Sequence, residues 1–197
     1  MFPILLVLAV GIAIAVERWI HLKRAVTDNR KMWDQVHPVL AEGDFEKARE
    51  MVNDDTSVLS QMLAMGLARQ GAVRRREDIE IAMEESMMEI IPQLEKRTPY
   101  LSLLANMATL LGLLGTIMGL ITAFAAVASA SPAEKAALLA ASIAEAMNCT
   151  AFGLMTAIPL LLLHARLTTT TGQIVNSLEM ASVKALNTIT TFSKRQF

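Results

Sequence analysis

The chain has 197 residues, 53% of them hydrophobic and 19% charged, with a formal net charge of −1. That apolar share is above that of an ordinary soluble domain, and no basic-aromatic patch supports nucleic-acid binding. The single cysteine, Cys149, rules out a disulfide framework within one chain, and none of the three histidines has the companions a metal site needs.

Phe2 to Val16 is apolar and closes on Glu17-Arg18-Trp19. Fifteen residues are short for a bilayer crossing, which takes about 20. Extending the segment through Ile20 and Leu22, with the Arg18 head snorkelling and Trp19 at the interface, makes a span over residues 1–22. The abrupt start leaves room for a few further outer residues. No basic region precedes the run and no small-residue cleavage site follows it, so it does not read as a secretory signal peptide.

Twelve of the 18 lysines and arginines lie between His21 and Arg97, together with most of the acids. Residues 23–98 read as a helical polar domain. Gly43-Asp44 ends one helix and caps the next, which carries Phe45, Ala48 and Val52. A helix from Ser57 to Arg69 follows, broken at Gln70-Gly71, and Arg74 to Arg76 opens a charged stretch. From Glu77 on, Ile79, Met83, Met87, Ile90 and Leu94 recur at helical spacing, with a kink expected at Pro92. Nothing in this domain has a catalytic pattern.

A second span covers residues 99–128, with a short loop over 129–136. Ser131-Pro132-Ala133-Glu134 reads as a capping box with proline in the first helical position, so a helix is expected to start at Pro132. It crosses over residues 137–165, kinks at Pro159, and continues as a helix over 166–197, where Ile174, Leu178, Val183, Leu186 and Ile189 form a weak apolar stripe. Arg18, Lys23, Arg24, Lys96, Arg97 and Arg166 cluster at one set of span ends, against Lys135 alone at the other. The positive-inside rule then places the N-terminus outside and residues 23–98 and 166–197 in the cytoplasm.

Between Thr98 and Ala165 the only charged residues are Glu134, Lys135 and Glu145. An acid at the centre of a membrane helix costs about 2.5–3.5 kcal/mol, which makes Glu145 the leading candidate site. Two readings are open. Glu145 is either an outer-interface carboxylate, hydrated or paired with Lys135, or a pore-facing acid that binds or relays a proton. Burial would favour its neutral form, and Asn148, three residues on, is placed to hydrogen-bond it. Thr116 lies among Gly112, Gly115 and Gly119, and Thr150 precedes Gly153 and Ala157. These small residues allow close helix packing, and the two hydroxyls either pack back onto their own helices or hold water and pass a proton. Asn106 and Thr109 add polarity on the same pair of helices. Cys149 reads as a small packing residue.

Glu17-Arg18 at the end of the first span, Gly112-Leu-Leu-Gly-Thr116, Ile143-Ala-Glu-Ala146, Thr150-Ala-Phe-Gly-Leu154 and Ala157-Ile-Pro159 together resemble the MotA/TolQ/ExbB proton-channel family, and most closely its ExbB/TolQ branch. The resemblance implies an all-α membrane protein with three transmembrane helices, a helical cytoplasmic domain between spans 1 and 2, and long helices extending into the cytoplasm. It further implies a homopentamer in the bacterial inner membrane around a dimer of an ExbD/TolR-like single-span partner, with a TonB/TolA-like energy transducer as a further partner. Thr116, Glu145 and Thr150 match the family's proton-pathway positions, while Gly112, Gly115, Gly119, Gly153 and Pro159 match its packing positions. No cofactor is implied, and protons are favoured over sodium. Thr109 stands where the family commonly has proline. The expected function is a proton-driven motor subunit energising outer-membrane transport or envelope processes. Alternatives are a gliding or envelope-integrity motor, or a passive scaffold in which Glu145 only bonds a neighbouring helix. No nucleophile–base pair, metal cluster or phosphate loop points to an enzyme.

Overall fold

The computed structural model describes residues 2–70 and 76–195, so the expected break at Gly71 and the Arg74-Arg75 pair lie outside the described residues. Among the described residues the chain is all-helical, running through α1 (Phe2–Glu42), α2 (Phe45–Asn53), α3 (Val58–Gln70), α4 (Arg76–Glu95), α5 (Thr98–Ser129) and α6 (Lys135–Arg195). Three helical stretches are long and apolar enough to cross a membrane, in Phe2–Glu42, Arg76–Ser129 and Lys135–Phe192. The expected fold class and span number hold. The chain divides into two compact units, Met1–Arg18 with Arg97–Leu167, and Trp19–Lys96 with Thr168–Phe197.

The first unit buries many small residues alongside a few large ones (Ile4, Val7, Leu101, Leu160, Leu167), and turns many of its large side chains outward. Its buried positions include Ala15, Ala105, Ala108, Ala123, Ala146 and Ala157. Its exposed positions include Leu110, Leu113, Leu114, Ile117, Phe124, Met155 and Leu162. In water this arrangement would forfeit about 1.5–3 kcal/mol for each large side chain left exposed. It fits a lipid-facing bundle, where close backbone approach replaces hydrophobic burial. Gly11 of α1 meets Leu160 of α6, whose Cδ2 lies 2.6 Å from where a Cβ would stand. Arg18 differs from the snorkelling expectation: it is only 4% exposed, on the inner face of α1 and in the field of Glu17 and Arg97. The Nη1 of Arg97 donates to both carboxylate oxygens of Glu17, at 2.5 and 2.7 Å, and so ties the end of the first apolar run to the start of α5. Both side chains are about half exposed, at 49% and 52%, so the pair sets position more than stability. Arg97 itself is left-handed, at φ 64°, and Pro99 in the first turn of α5 costs no hydrogen bond there.

The second unit follows the soluble pattern. Leu22, Val36, Leu40, Met62, Leu63, Met83, Leu94, Leu178 and Leu186 are buried. The expected stripe of α4 (Ile79, Met83, Met87, Ile90, Leu94) all faces inward. The α1–α2 corner also forms as expected. Gly43 at φ 83° donates to the Leu40 carbonyl at 3.1 Å, and Asp44 N–H reaches the Val39 carbonyl at 3.3 Å. This is a Schellman closure, and the Asp44 carboxylate then caps α2 by accepting from Lys47 N–H at 3.1 Å. Along α6, Ile174, Leu178, Leu186 and Ile189 are buried, but Val183 is 52% exposed and Ala181 and Ala185 take the inner positions. The helix stripe advances about 100° per residue, and alanines satisfied it where size alone had suggested valine.

Ser57 caps α3, its Oγ accepting from Ser60 N–H at 3.2 Å. Asp55 Oδ2 accepts from Ser57 N–H at 3.1 Å and from the Ser60 hydroxyl at 2.7 Å. Burial alone would push the Asp55 carboxyl up, but the hydrogen bonds from Ser57 and Ser60 outweigh it and hold it below its ordinary value. A carboxyl depressed in the folded state contributes stability that is present above the unfolded value, near 3.9, and is lost as pH falls through the folded one. Asp55→Asn should therefore melt a few degrees below the parent at pH 7, and thermal unfolding of detergent-solubilised protein should show that gap closing as pH falls below about 4.

Candidate functional site

Two apolar helices of the first unit, α5 and α6, bring the candidate residues together. Both helices form because long runs of Leu, Ala, Met and Ile carry only scattered glycine, and because lipid leaves the backbone no other partner than its own turns. Their crossing is fixed at Gly112 and Gly153. A Cβ on Gly112 would lie 3.1 Å from the Cys149 carbonyl oxygen and 3.2 Å from both Gly153 Cα and Thr150 Cα. One on Gly153 would lie 2.7 Å from the Ala108 carbonyl oxygen. These obstacles are backbone atoms and cannot swing aside. Gly115 and Gly119 face Cys149 and Ala146 across the same seam.

This approach allows side chains to reach the opposite helix. Thr116 Oγ1 donates to the Gly112 carbonyl at 3.1 Å, one turn back on its own helix. Thr150 Oγ1, from α6, reaches the same carbonyl at 3.2 Å, and the two hydroxyls hydrogen-bond each other. Three oxygens are in mutual contact, but the two hydroxyls carry only two protons between them. One of the three contacts therefore has no proton of its own at any moment. The trio can change its pattern by rotating a hydroxyl, and it can offer a free lone pair or a donor to a third group without breaking a helix.

Glu145 lies five residues before Thr150, about 7.5 Å along α6 at 1.5 Å per residue. It lines a pocket of about 160 Å³ with Gly115, Gly119, Thr122, Ser142, Ala146 and Cys149. At about 30 Å³ per water, that volume admits a small cluster. Thr122 donates to the carbonyls of Met118 (3.1 Å) and Gly119 (2.8 Å). The chain by itself leaves Glu145 exposed, so the burial expected for it is not supplied by α5 and α6 alone. Among the described residues, no ion pair joins Glu145 to Lys135 and no hydrogen bond joins it to Asn148. Asn106 is exposed, and Thr109 donates back to the Ala105 carbonyl at 3.2 Å. Pro159 is exposed within the unbroken helix α6.

The helix start before this site also departs from expectation. α6 begins at Lys135, three residues after Pro132, and Ser131 Oγ donates to the Glu134 carboxylate at 2.6 Å, so the reciprocal backbone bonds of a capping box are not made. Residues 132–134 form a turn instead, with the N–H groups of Glu134 and Lys135 both on the Ser131 carbonyl. Sequence reasoning did not identify Thr122 and Ser142 as neighbours of Glu145. Ser142 stands one turn before the acid, a spacing that could have flagged it. For Thr122, only the register of α5 against α6 could have done so.

Residues 54–180, nearly two thirds of the chain, match the model of the MotA/TolQ/ExbB proton channel family. A comparison with curated proteins gave no match.

Gly153→Ala should destabilise the protein by about 1–3 kcal/mol, the range for forcing extra volume into a packed seam. Gly172 provides the control: it is helical and exposed, with nothing within 4 Å of a Cβ position. Gly172→Ala should therefore stabilise by about 0.4–1 kcal/mol. Denaturant or thermal unfolding of the two variants should move in opposite directions.

Proposed function

We propose, since the chain belongs to the MotA/TolQ/ExbB proton channel family, that it is a ring-forming subunit of a proton-driven motor of the ExbB/TolQ kind. Family membership supports a proton-conducting, motor-type subunit that works in a membrane complex, and the three apolar helices make it a multi-pass membrane protein. In the finer reading, five copies sit in the bacterial inner membrane around a dimer of a single-span ExbD/TolR-like protein. The N-terminus and residues 129–136 are periplasmic, and residues 23–98 and 166–197 are cytoplasmic. A TonB/TolA-like transducer passes the output to the outer membrane or envelope.

The observation that carries this reading is the oxygen trio of Thr116, Thr150 and the Gly112 carbonyl, set within apolar helices and followed along α6 by the pocket of Glu145. Hydroxyls do not titrate near neutral pH, so the trio holds and orients a proton-bearing group but does not itself become charged. A carboxylate from the single-span partner would carry the charge past it. With the carboxylate ionised, the trio donates; with the carboxylic acid neutral, the trio accepts. The change of protonation alters which subunit's lining the partner prefers, and that preference biases a stepwise relative rotation. Glu145 and its pocket hold water and form the outer approach to the trio. Gly112, Gly115, Gly119 and Gly153 keep α5 and α6 close enough for this lining to exist.

Proton flux into vesicles holding the chain and its single-span partner tests the reading. Thr150→Ala combined with Glu145→Gln should lower partner-dependent flux at least tenfold, while Thr150→Ser, which keeps the hydroxyl, should retain most of it. Unchanged flux in the double variant would sink the proposed pathway. Native mass spectrometry of the co-expressed pair should give five copies with two of the partner, and a monomer that never retains the partner would favour the scaffold alternative.

A further inference from the structure

The second unit contains a cavity that the proton pathway does not use. It measures about 280 Å³ and lies between α1, the first turn of α3 and the distal part of α6. Its wall is largely apolar, with Val26, Trp33, Leu59 and Ile174 among the lining residues. Two cations, Arg30 and Lys184, stand on it, and no carboxylate does. Lys184 Nζ sits 6.0 Å from the centre of the Trp33 ring, held over its face. Asn29, 6% exposed, also lines the cavity. Its Oδ1 accepts from Leu59 N–H at 3.1 Å, which fixes the orientation of the amide and leaves Nδ2 buried without a partner.

A ligand for this cavity has to be apolar over most of its surface and anionic at one end, with an acceptor oxygen for the amide. A free phosphate would satisfy the cations and leave the apolar wall bare; a neutral hydrocarbon would do the reverse. The position along α1 names the source. Val26 follows Leu22, the last residue of the apolar run, by about 6 Å of helix, and Lys23 and Arg24 stand between them. Basic residues directly beyond a span attract anionic lipid.

We propose that this cavity binds an anionic phospholipid, its phosphate held between Arg30 and Lys184 and its glycerol and upper acyl carbons against Trp33, Val26 and Ile174. The site is independent of the proton pathway and stands or falls separately from it. Bound lipid would brace α1 against α6 within this unit.

The chain has two tryptophans, Trp19 and Trp33, so Trp19→Phe leaves Trp33 as the sole reporter. The full-length protein is placed in phosphatidylcholine nanodiscs containing one part in ten of phosphatidylglycerol, and either lipid carries brominated acyl chains. Brominated phosphatidylglycerol at that fraction should quench Trp33 at least twofold more than the same fraction of brominated phosphatidylcholine. Arg30→Gln with Lys184→Gln should erase the difference. Ala181→Leu, which narrows the cavity and leaves both charges, should erase it too and serves if the double variant does not fold. Equal quenching by the two lipids, or a preference that survives both variants, overturns the proposal. So does a Trp33 shielded from iodide only in multi-copy assemblies whatever the lipid, because the cavity then belongs to a neighbouring copy of this chain.

Discussion

Gly112 of α5 and Gly153 of α6 pass each other so closely that a Cβ on Gly153 would stand 2.7 Å from the Ala108 carbonyl oxygen and one on Gly112 would be tightly crowded. The rest of the candidate site depends on that approach. In lipid there is no hydrophobic force to pull two apolar helices together, so backbone proximity and cross-helix hydrogen bonds must do it. At this crossing they are the same feature. Only because the backbones meet can Thr150 reach the Gly112 carbonyl on the other helix, and only then does Thr116 find a partner in Thr150. Moving the helices apart by the width of one methyl group would leave each hydroxyl with its own helix and dissolve the three-oxygen arrangement. Packing and chemistry at this seam cannot be separated by mutation of the glycines alone.

The chain is built for two solvents, and its side-chain sizes say which part belongs to which. In one unit leucine and methionine fill the interior, as water demands. In the other, alanine and glycine share the interior with a few leucines such as Leu101 and Leu160, and many leucines, isoleucines and Phe124 face out. Those outward faces are neutral towards lipid and available to other protein surfaces. Ordered membrane assembly therefore needs no new hydrophobic surface to be exposed. The polar trio, half-buried in the single chain, sits where a partner helix could complete its third contact.

Much of this architecture was legible in the sequence. The span number followed from apolar length, the α1–α2 corner from Gly43-Asp44, and the inner face of α4 from five apolar residues at helical spacing. These signals are local, and each residue's role is set by neighbours within a turn or two. The misses share a different cause. Size makes Val183 a candidate for the inner stripe, whereas the inner positions belong to Ala181 and Ala185, a choice set by the angle at which α6 meets its neighbours and not by side-chain size. Ser131 and Glu134 have the residue types of a capping box, but the carboxylate accepts a hydrogen bond from the serine hydroxyl directly, and α6 starts only at Lys135. The buried Arg18 and the Glu17–Arg97 pair depend on two segments some 80 residues apart in sequence. The grouping of Thr122 and Ser142 around Glu145 depends on interhelical register. A one-dimensional pattern shows which residues are special within a helix and stays silent about which ones meet across a seam.

Magnitudes suggest why hydroxyls serve such a lining better than further acids would. One proton crossing the membrane releases about 2.3 kcal/mol per 100 mV. A hydrogen bond to a charged group contributes about 1.5–3 kcal/mol. A single contact between a carboxylate and a threonine hydroxyl is thus comparable with the energy of one proton. It can hold a partner in place until its charge changes and release it afterwards. A fixed countercharge in a low-dielectric seam would hold a partner several-fold harder, and one proton could not then dislodge it. An acid in the same position would instead repel an ionised partner carboxylate. A neutral pair that can either donate or accept avoids both outcomes, which gives a physical reason for two threonines to stand where α5 and α6 come closest while the only acid of these spans stays a turn and a half away.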